Sequence, residues 1–327
     1  MAKTHNILIC DDSPVVHRAM SRILSGQPSV SLFFAENGKE GLACLAAQPI
    51  DVMFLDLTMP VMDGFEVLSE LSATAHQTKI IILSADVQRQ AMERCIALGA
   101  HQFVPKPFDP HHLISVLKPL GITLAAAQEP PSTLMSHDEY CYIQAFKEVA
   151  NVALGRGAAI ISDHFGDFIK MPLPNVACLT PGELEMTIDD IRQQTELVAI
   201  AQRFIGGGIH GEALVCLRGK DVEQFGARLG FSQVDEHKNE IVIDIANLMV
   251  SSFLGALSEQ INIPFSVRQP ILLEDYMIWT DGECVSTELF TVEYTYRAES
   301  MDLECEVLFM MDDSSTKVIK KVMDTLH

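Results

Sequence analysis

The sequence predicts two domains of different class. Residues 1–123 read as an α/β domain on a doubly wound parallel sheet, and residues 135–327 as an α+β domain with two related long helices across an antiparallel sheet. Three observations carry this. Short apolar runs alternate with helix-periodic segments through the first part. A small, polar, proline-bearing stretch at 124–134 breaks the pattern and reads as a linker. Beyond it, a helical segment carrying an acid, an amide and a distant proline recurs at a fixed offset. A chain of 327 residues can bury two such cores.

The elements of the first domain follow in order. "NILIC" ends in Asp11 and Asp12, and "SLFFA", "DVMFLD", "KIIILSA" and "HQFVPK" follow at regular intervals as strands. Between them "VVHRAMSRIL" and "VQRQAMERCIAL" have apolar residues at helical spacing. Ser13 before Pro14 and Asp109 before Pro110 each place a capping residue ahead of a first-turn proline.

A ligand site in such a sheet lies beyond the carboxyl ends of its strands. Asp11 and Asp12 close the first run, Asp56 the third, Ser84 the fourth and Lys106 the fifth. Three converging carboxylates suit a hard divalent cation, Mg²⁺ above all. A hydroxyl and an ammonium opposite them would hold the oxygens of a phosphoryl group on Asp56. One polar residue at a strand end is ordinary; all of these types together are specific.

These residues, with "DLTMPVMDG" at 56–64 and "KPF" at 106–108, resemble the CheY-like receiver domain of response regulators. The resemblance covers essentially the whole first domain and implies a five-stranded sheet of order 2-1-3-4-5. It implies Asp56 as phosphoacceptor and Asp11, Asp12, Asp56 and the Thr58 carbonyl as Mg²⁺ ligands. It also implies Ser84 and Lys106 as the phosphate-sensing pair and a histidine kinase as phosphodonor. Phe103 stands where an aromatic switch residue is often tyrosine; as a buried phenylalanine it should favour an inward position.

In the second part, "SHDE" at 136–139 has capping-box spacing and opens a helix. That helix carries "EVANVALGRGAAII" at 148–161, which recurs in outline as "DIANLMVSSFLGAL" at 244–257, an offset of 96 residues. Glu148 becomes Asp244, Asn151 becomes Asn247 and Pro174 becomes Pro270, so both copies read acid-x-x-Asn, 22 residues, proline. "ELVAIAQRFIGGGIHGEALVCL" reads as two strands turning at Gly206–Gly208, and "ELFTVEYTYRAESMDLECEVLFM" as a hairpin with Phe290, Val292, Tyr294 and Tyr296 on one face. The triple glycine lacks the Gly-Lys-Ser/Thr of a phosphate loop.

Residues 135–327 resemble the CheC/CheX/FliY receiver phosphatases, whose motif is acid-x-x-Asn followed by proline after 22 residues. The resemblance implies a pseudo-two-fold domain that hydrolyses the aspartyl phosphate of receivers, with Glu148, Asn151, Asp244 and Asn247 as catalytic residues. Spacing of three puts each acid and amide on one helical face. The chemistry asks little more than a water placed in line with phosphorus, which a carboxamide can hold. By the resemblance, the acid pairs with the lysine of the bound receiver. Glutamate reaches farther than aspartate, which favours the first site. Gln144 and Glu240 depart from the Asp or Ser that the family prefers four residues before the acid. Gly155, Gly157, Ala158 and Ala159 suit close backbone approach, first of all tight helix–sheet packing.

Composition excludes several classes. The charge of −21 is concentrated in the second part: residues 1–124 hold 9 Lys+Arg against 12 Asp+Glu, and the remainder 14 against 32. Such a surface repels phosphate backbones and anionic lipid, so neither nucleic acid nor membrane is an expected partner. No signal peptide and no apolar run of about 20 residues is evident, and the eight scattered cysteines form no C-x-x-C, which suits a cytoplasmic protein with reduced thiols. The expected substrate is a phosphorylated CheY-like receiver in trans, Asp56 of the same chain, or both. The setting is chemotaxis-type signalling, with activity gated by phosphorylation at Asp56. A homodimer is left open. The alternative is a response-regulator adaptor that binds a receiver without hydrolysing it.

Overall fold

The computed structural model describes residues 4–24, 29–74, 76–122, 140–180, 182–183, 197–218, 222, 225–227, 237–273, 289–299 and 304–326. The linker expected at 124–134 and the capping box at 136–139 lie outside them. The chain divides into two compact units, Met1–Gln144 and Ala145–His327.

The first unit alternates β1 (His5–Cys10), α1 (Pro14–Leu24), β2 (Val30–Ala35), α2 (Gly38–Ala47), β3 (Val52–Leu55), α3 (Gly64–Ser72), β4 (Lys79–Ser84), α4 (Arg89–Ala97), β5 (Gln102–Pro105) and α5 (Pro110–Leu117). The strands are parallel in the order β2-β1-β3-β4-β5. Successive strand residues point to opposite faces. Ile7, Ile9, Val52, Phe54, Ile81, Leu83 and Val104 therefore meet Val16, Met20 and Leu24 of α1 and Leu113, Val116 and Leu117 of α5 in one core. Leu8, Met53, Ile80 and Ile82 are buried on the other face. The helix starts lie where capping chemistry puts them. Ser13 Oγ accepts from Val16 N at 3.4 Å, and Asp109 accepts from His111 N at 3.1 Å with Pro110 in the first turn.

The second unit takes in α6 (Tyr140–Phe165) from Ala145 onward, β6 (Ile169–Lys170), β7 (Asn175–Leu179), β8 (Leu197–Gly206) and β9 (Ile209–Arg218). It continues with α7 (Lys238–Ile261), β10 (Ser266–Val267), β11 (Ile271–Leu272), β12 (Leu289–Ala298), β13 (Glu304–Met311) and α8 (Asp313–Leu326). The sheet runs β10-β8-β9-β13-β12-β6, with β11 also on β8 and β7 also on β12, and all its pairings are antiparallel. The two hairpins meet at its centre, where Ala213 pairs with Phe309 and Val215 with Val307. Phe290, Val292, Tyr294 and Tyr296 are all buried, as their alternation requires.

The sequence repeat is a repeat of structure. Asn175 pairs with Glu293, and Ile271 with Ala201. Position 175 thus maps onto 271 at the offset of 96 found in the helices, while 201 maps onto 293 at 92. The small strands after α6 pair with β12, and those after α7 pair with β8, so the two copies exchange their edges. Pro174 and Pro270 are buried immediately before β7 and β11, where a missing N–H is tolerated at a strand start.

Both long helices bury the sheet's apolar face. The ring of Phe253 on α7 lies 4.7 Å from that of Phe309 and 5.6 Å from that of Tyr294, and Phe146 on α6 meets Phe290 at 5.1 Å. A side chain at Gly157 would lie 3.1 Å from the Tyr296 hydroxyl and 3.5 Å from the α7 backbone at Phe253. The small residue therefore serves helix–helix as well as helix–sheet approach. α7 is, by length and composition, apolar enough to cross a membrane, which the sequence reading did not anticipate; most of its apolar window is buried within the unit.

Candidate functional site

At the carboxyl edge of the parallel sheet, topology gathers the residues expected there. Asp11 follows β1, Asp56 follows β3, Ser84 ends β4 and Lys106 follows β5; all four are buried. Lys106 Nζ lies 2.9 Å from Asp11 Oδ2 and 3.2 Å from Asp56 Oδ2. Asp12 is half-buried beside them, and ligand oxygens of Asp11, Asp12 and Asp56 lie within 4.8 Å of one another. Three hard carboxylates at that spacing fit a small divalent cation, and the ammonium opposite offsets part of their mutual repulsion.

Local structure fixes Asp56. Asp56 Oδ1 accepts from Leu57 N at 2.7 Å, which leaves Oδ2 turned to Lys106. The loop that follows carries Thr58, buried, and returns to α3 through a capping box in which Asp63 accepts from Glu66 N and Glu66 accepts from Asp63 N, both at 2.9 Å. Gly64 admits no side chain, since a methyl there would collide with the Asp56 carbonyl oxygen and lie 2.8 Å from Leu57 Cα. Ser84 Oγ accepts from Asp86 N at 3.2 Å. Phe103, on β5, is half-buried.

Two residues near this site were not singled out from sequence. Burial pushes the Cys10 thiol up to about 12, with Asp11 and Asp56 adding to the effect. Burial also raises the Asp86 carboxyl to about 6, opposed by the hydrogen bond from Gln88 N and reinforced by the Asp56 charge. An acid two residues past the Ser84 strand end was the available signal.

In the second unit the two acid–amide pairs are not equivalent. Asn151 is 6% exposed, its Oδ1 is buried without a hydrogen-bond partner, and Glu148 is half-buried. Asp244 and Asn247 are both exposed on one face of α7. Asn247 Oδ1 accepts from Gln202 Nε2 at 3.0 Å and from Ser251 Oγ at 3.4 Å. Side-chain length favoured the first pair on sequence grounds; accessibility orders them the other way. Gln202 was also missed, although a single amide on the apolar face of "LVAIAQRFIG" is a visible irregularity.

The response regulator receiver domain family matches residues 7–118. A protein-glutamate methylesterase/protein-glutamine glutaminase of Azospirillum brasilense is 35% identical over 104 residues, 31% of this chain and 26% of that protein. Response regulator MprA of Mycolicibacterium vanbaalenii is 34% identical over 116 residues, 35% of this chain and 49% of that protein. Among solved structures, Vibrio cholerae chemotaxis protein CheY4 is 28% identical with a TM-score of 0.34, covering 36% of this chain and 98% of that one. A chain of the CheX-CheY-BeF3-Mg complex of Borrelia burgdorferi is 27% identical with a TM-score of 0.35, covering 37% of this chain and 92% of that one. The chain thus spans about a quarter of the length of the methylesterases it matches. Residues 7–118 are a response regulator receiver domain.

Proposed function

We propose that this two-component response regulator hydrolyses the aspartyl phosphate of receiver proteins through its second unit. The observation that carries the reading is the exposed pair Asp244 and Asn247 on α7, repeated as Glu148 and Asn151 on α6 by a pseudo-two-fold relation. A carboxylate and an amide one turn apart on a helix are the groups such a hydrolysis needs, and α7 presents both to solvent. A CheC-like assignment of residues 135–327 agrees with the antiparallel sheet and its two related helices.

Asp56 is the phosphoacceptor of the chain's own receiver, with a histidine kinase as donor. Mg²⁺, held by Asp11, Asp12, Asp56 and the Thr58 carbonyl, supplies charge neutralisation for the phosphoryl oxygens when bound. Lys106 and the Ser84 hydroxyl hold two of those oxygens. In the second unit, Asp244 pairs with the phosphate-binding lysine of the substrate receiver, a free CheY-like protein, and so sets α7 across the partner's site. Asn247 orients the attacking water. The water oxygen bonds phosphorus, the bond from phosphorus to the aspartyl oxygen breaks, and a proton leaves to solvent with inorganic phosphate. The leaving carboxylate is a good one, so positioning suffices without a strong base. The buried Asn151 takes no part unless α6 shifts. Phosphorylation of Asp56 gates the second unit, and the setting is cytoplasmic chemotaxis-type signalling.

Release of labelled phosphate from a phosphorylated CheY-like receiver, with the full chain present in substoichiometric amount, tests this. Many turnovers per chain are expected. Stoichiometric binding with unchanged decay would leave an adaptor that uses the same exposed face of α7.

A further inference from the structure

Gln202 lies on β8 beneath α7 and is 1% exposed. Its Nε2 donates both to Asn247 Oδ1 at 3.0 Å and to the Arg268 carbonyl at 2.8 Å. The second bond fixes the orientation of both amides. A backbone carbonyl only accepts, so Gln202 must turn its nitrogen toward Arg268, and the Asn247 atom facing that nitrogen must be the oxygen. Ser251 Oγ adds a further contact to the same oxygen. The Nδ2 hydrogens of Asn247 are consequently the groups that remain for a ligand.

This arrangement carries a cost that the fold does not require. Gln202 Oε1 is buried without a hydrogen-bond partner, a state that is rare in native interiors and destabilising. At the related position of the other copy, 92 residues on, stands Tyr294, also buried, and there the sheet accepts an aromatic side chain. The partner that Asn247 has in Gln202 has no counterpart at Asn151, whose Oδ1 is bonded to nothing.

We propose that Gln202 is a positioning residue of the second site: it clamps the Asn247 oxygen inward so that one amide N–H donates to the oxygen of the attacking water. The clamped amide leaves one lone pair of that water free to face phosphorus. The catalytic part of this claim rests on the phosphatase reading; the clamp itself does not.

Gln202→Met keeps length and volume and removes the donor. In the full chain, release from a phosphorylated CheY-like receiver is expected to lose about 10-fold or more in kcat with KM unchanged. Adding Gln202→Met to Asn247→Ala should then cost little further, because the two act as one unit. Independent losses that multiply, or a raised KM with kcat kept, would overturn the positioning role. The side-chain amide resonances of Asn247 in the ¹⁵N-labelled chain, assigned by their loss in Asn247→Ala, give a readout without turnover. They should move in Gln202→Met and move in a different sense in Gln202→Glu, where the carboxylate would draw the Nδ2 hydrogens inward. Resonances that stay put in both variants would overturn the clamp. A wild-type chain that releases no phosphate but shows these shifts would sink the phosphatase reading and the catalytic role, and keep the clamp.

Discussion

Lys106 Nζ lies 3.2 Å from Asp56 Oδ2, with both side chains shut off from solvent, and the same ammonium lies 2.9 Å from Asp11 Oδ2. One cation therefore serves two buried carboxylates. Removing one partner of a buried ion pair costs roughly 3–5 kcal/mol, because the charge left behind is neither solvated nor compensated. Lys106→Met should lower the stability of the receiver unit by that order without Mg²⁺ and recover part of it with Mg²⁺, which binds the folded carboxylate cluster. Chemical denaturation with and without the metal measures this. Equal stability of variant and parent in metal-free buffer would mean that the cluster does not depend on its ammonium.

Gly64→Ala should damage the same site from behind. The added methyl meets the Asp56 carbonyl and Leu57 Cα, and neither belongs to a flexible side chain that could give way. A loss of about 1–3 kcal/mol is expected, the range for overpacking, together with slower label uptake at Asp56. Uptake at the parent rate with parent stability would contradict the tight loop return.

Asp86 gives a pH dependence with a definite sign. Its folded carboxyl titrates near 6 rather than 3.8, because burial disfavours the ion. The native state therefore holds the proton more tightly than the unfolded state. Stability falls as pH rises between those values, by at most about 3 kcal/mol. Asp86→Asn can still accept from Gln88 N and carries no charge. It should be more stable than the parent at pH 7 and indistinguishable near pH 3. Denaturation midpoints at the two pH values decide it, and a variant less stable at pH 7 would count against the burial argument.

Asn247→Ala should cost on the order of 10²–10³ in phosphate release, the range for a preorganised polar group at a reacting centre. Asn151→Ala should cost far less, since the residue is 6% exposed and its Oδ1 lies buried. Single-turnover decay of a phosphorylated receiver with each variant gives the order. The reverse order would place the chemistry on α6.

Most of the receiver domain was legible because its strands are short apolar runs whose ends carry the chemistry. Asp11, Asp56, Ser84 and Lys106 converge once the runs are read as parallel strands. The acid-x-x-Asn repeat was legible for another reason: an offset of 96 survives in both helices and small strands. Which copy faces outward was not legible. Side-chain length ranked Glu148 above Asp244, but exposure depends on how each helix sits against sheet and neighbour, and close contacts such as that of Gly157 with Phe253 leave no sequence period. The edge exchange was equally hidden, because the two-residue strand Ile169–Lys170 pairs with strand residues more than a hundred positions away. Gln202 is visible as one amide on an otherwise apolar face, but its partner is not: the bond to Asn247 depends on how α7 lies on β8, which leaves no sequence period.

The measurement that bears most directly on the function is release of labelled phosphate from a phosphorylated CheY-like receiver by the double variant Asn151→Ala/Asn247→Ala, with binding followed in parallel. The account expects the accelerated decay to vanish while the complex still forms. Decay as fast as with the parent chain would contradict it, because no amide would then be needed to place the water.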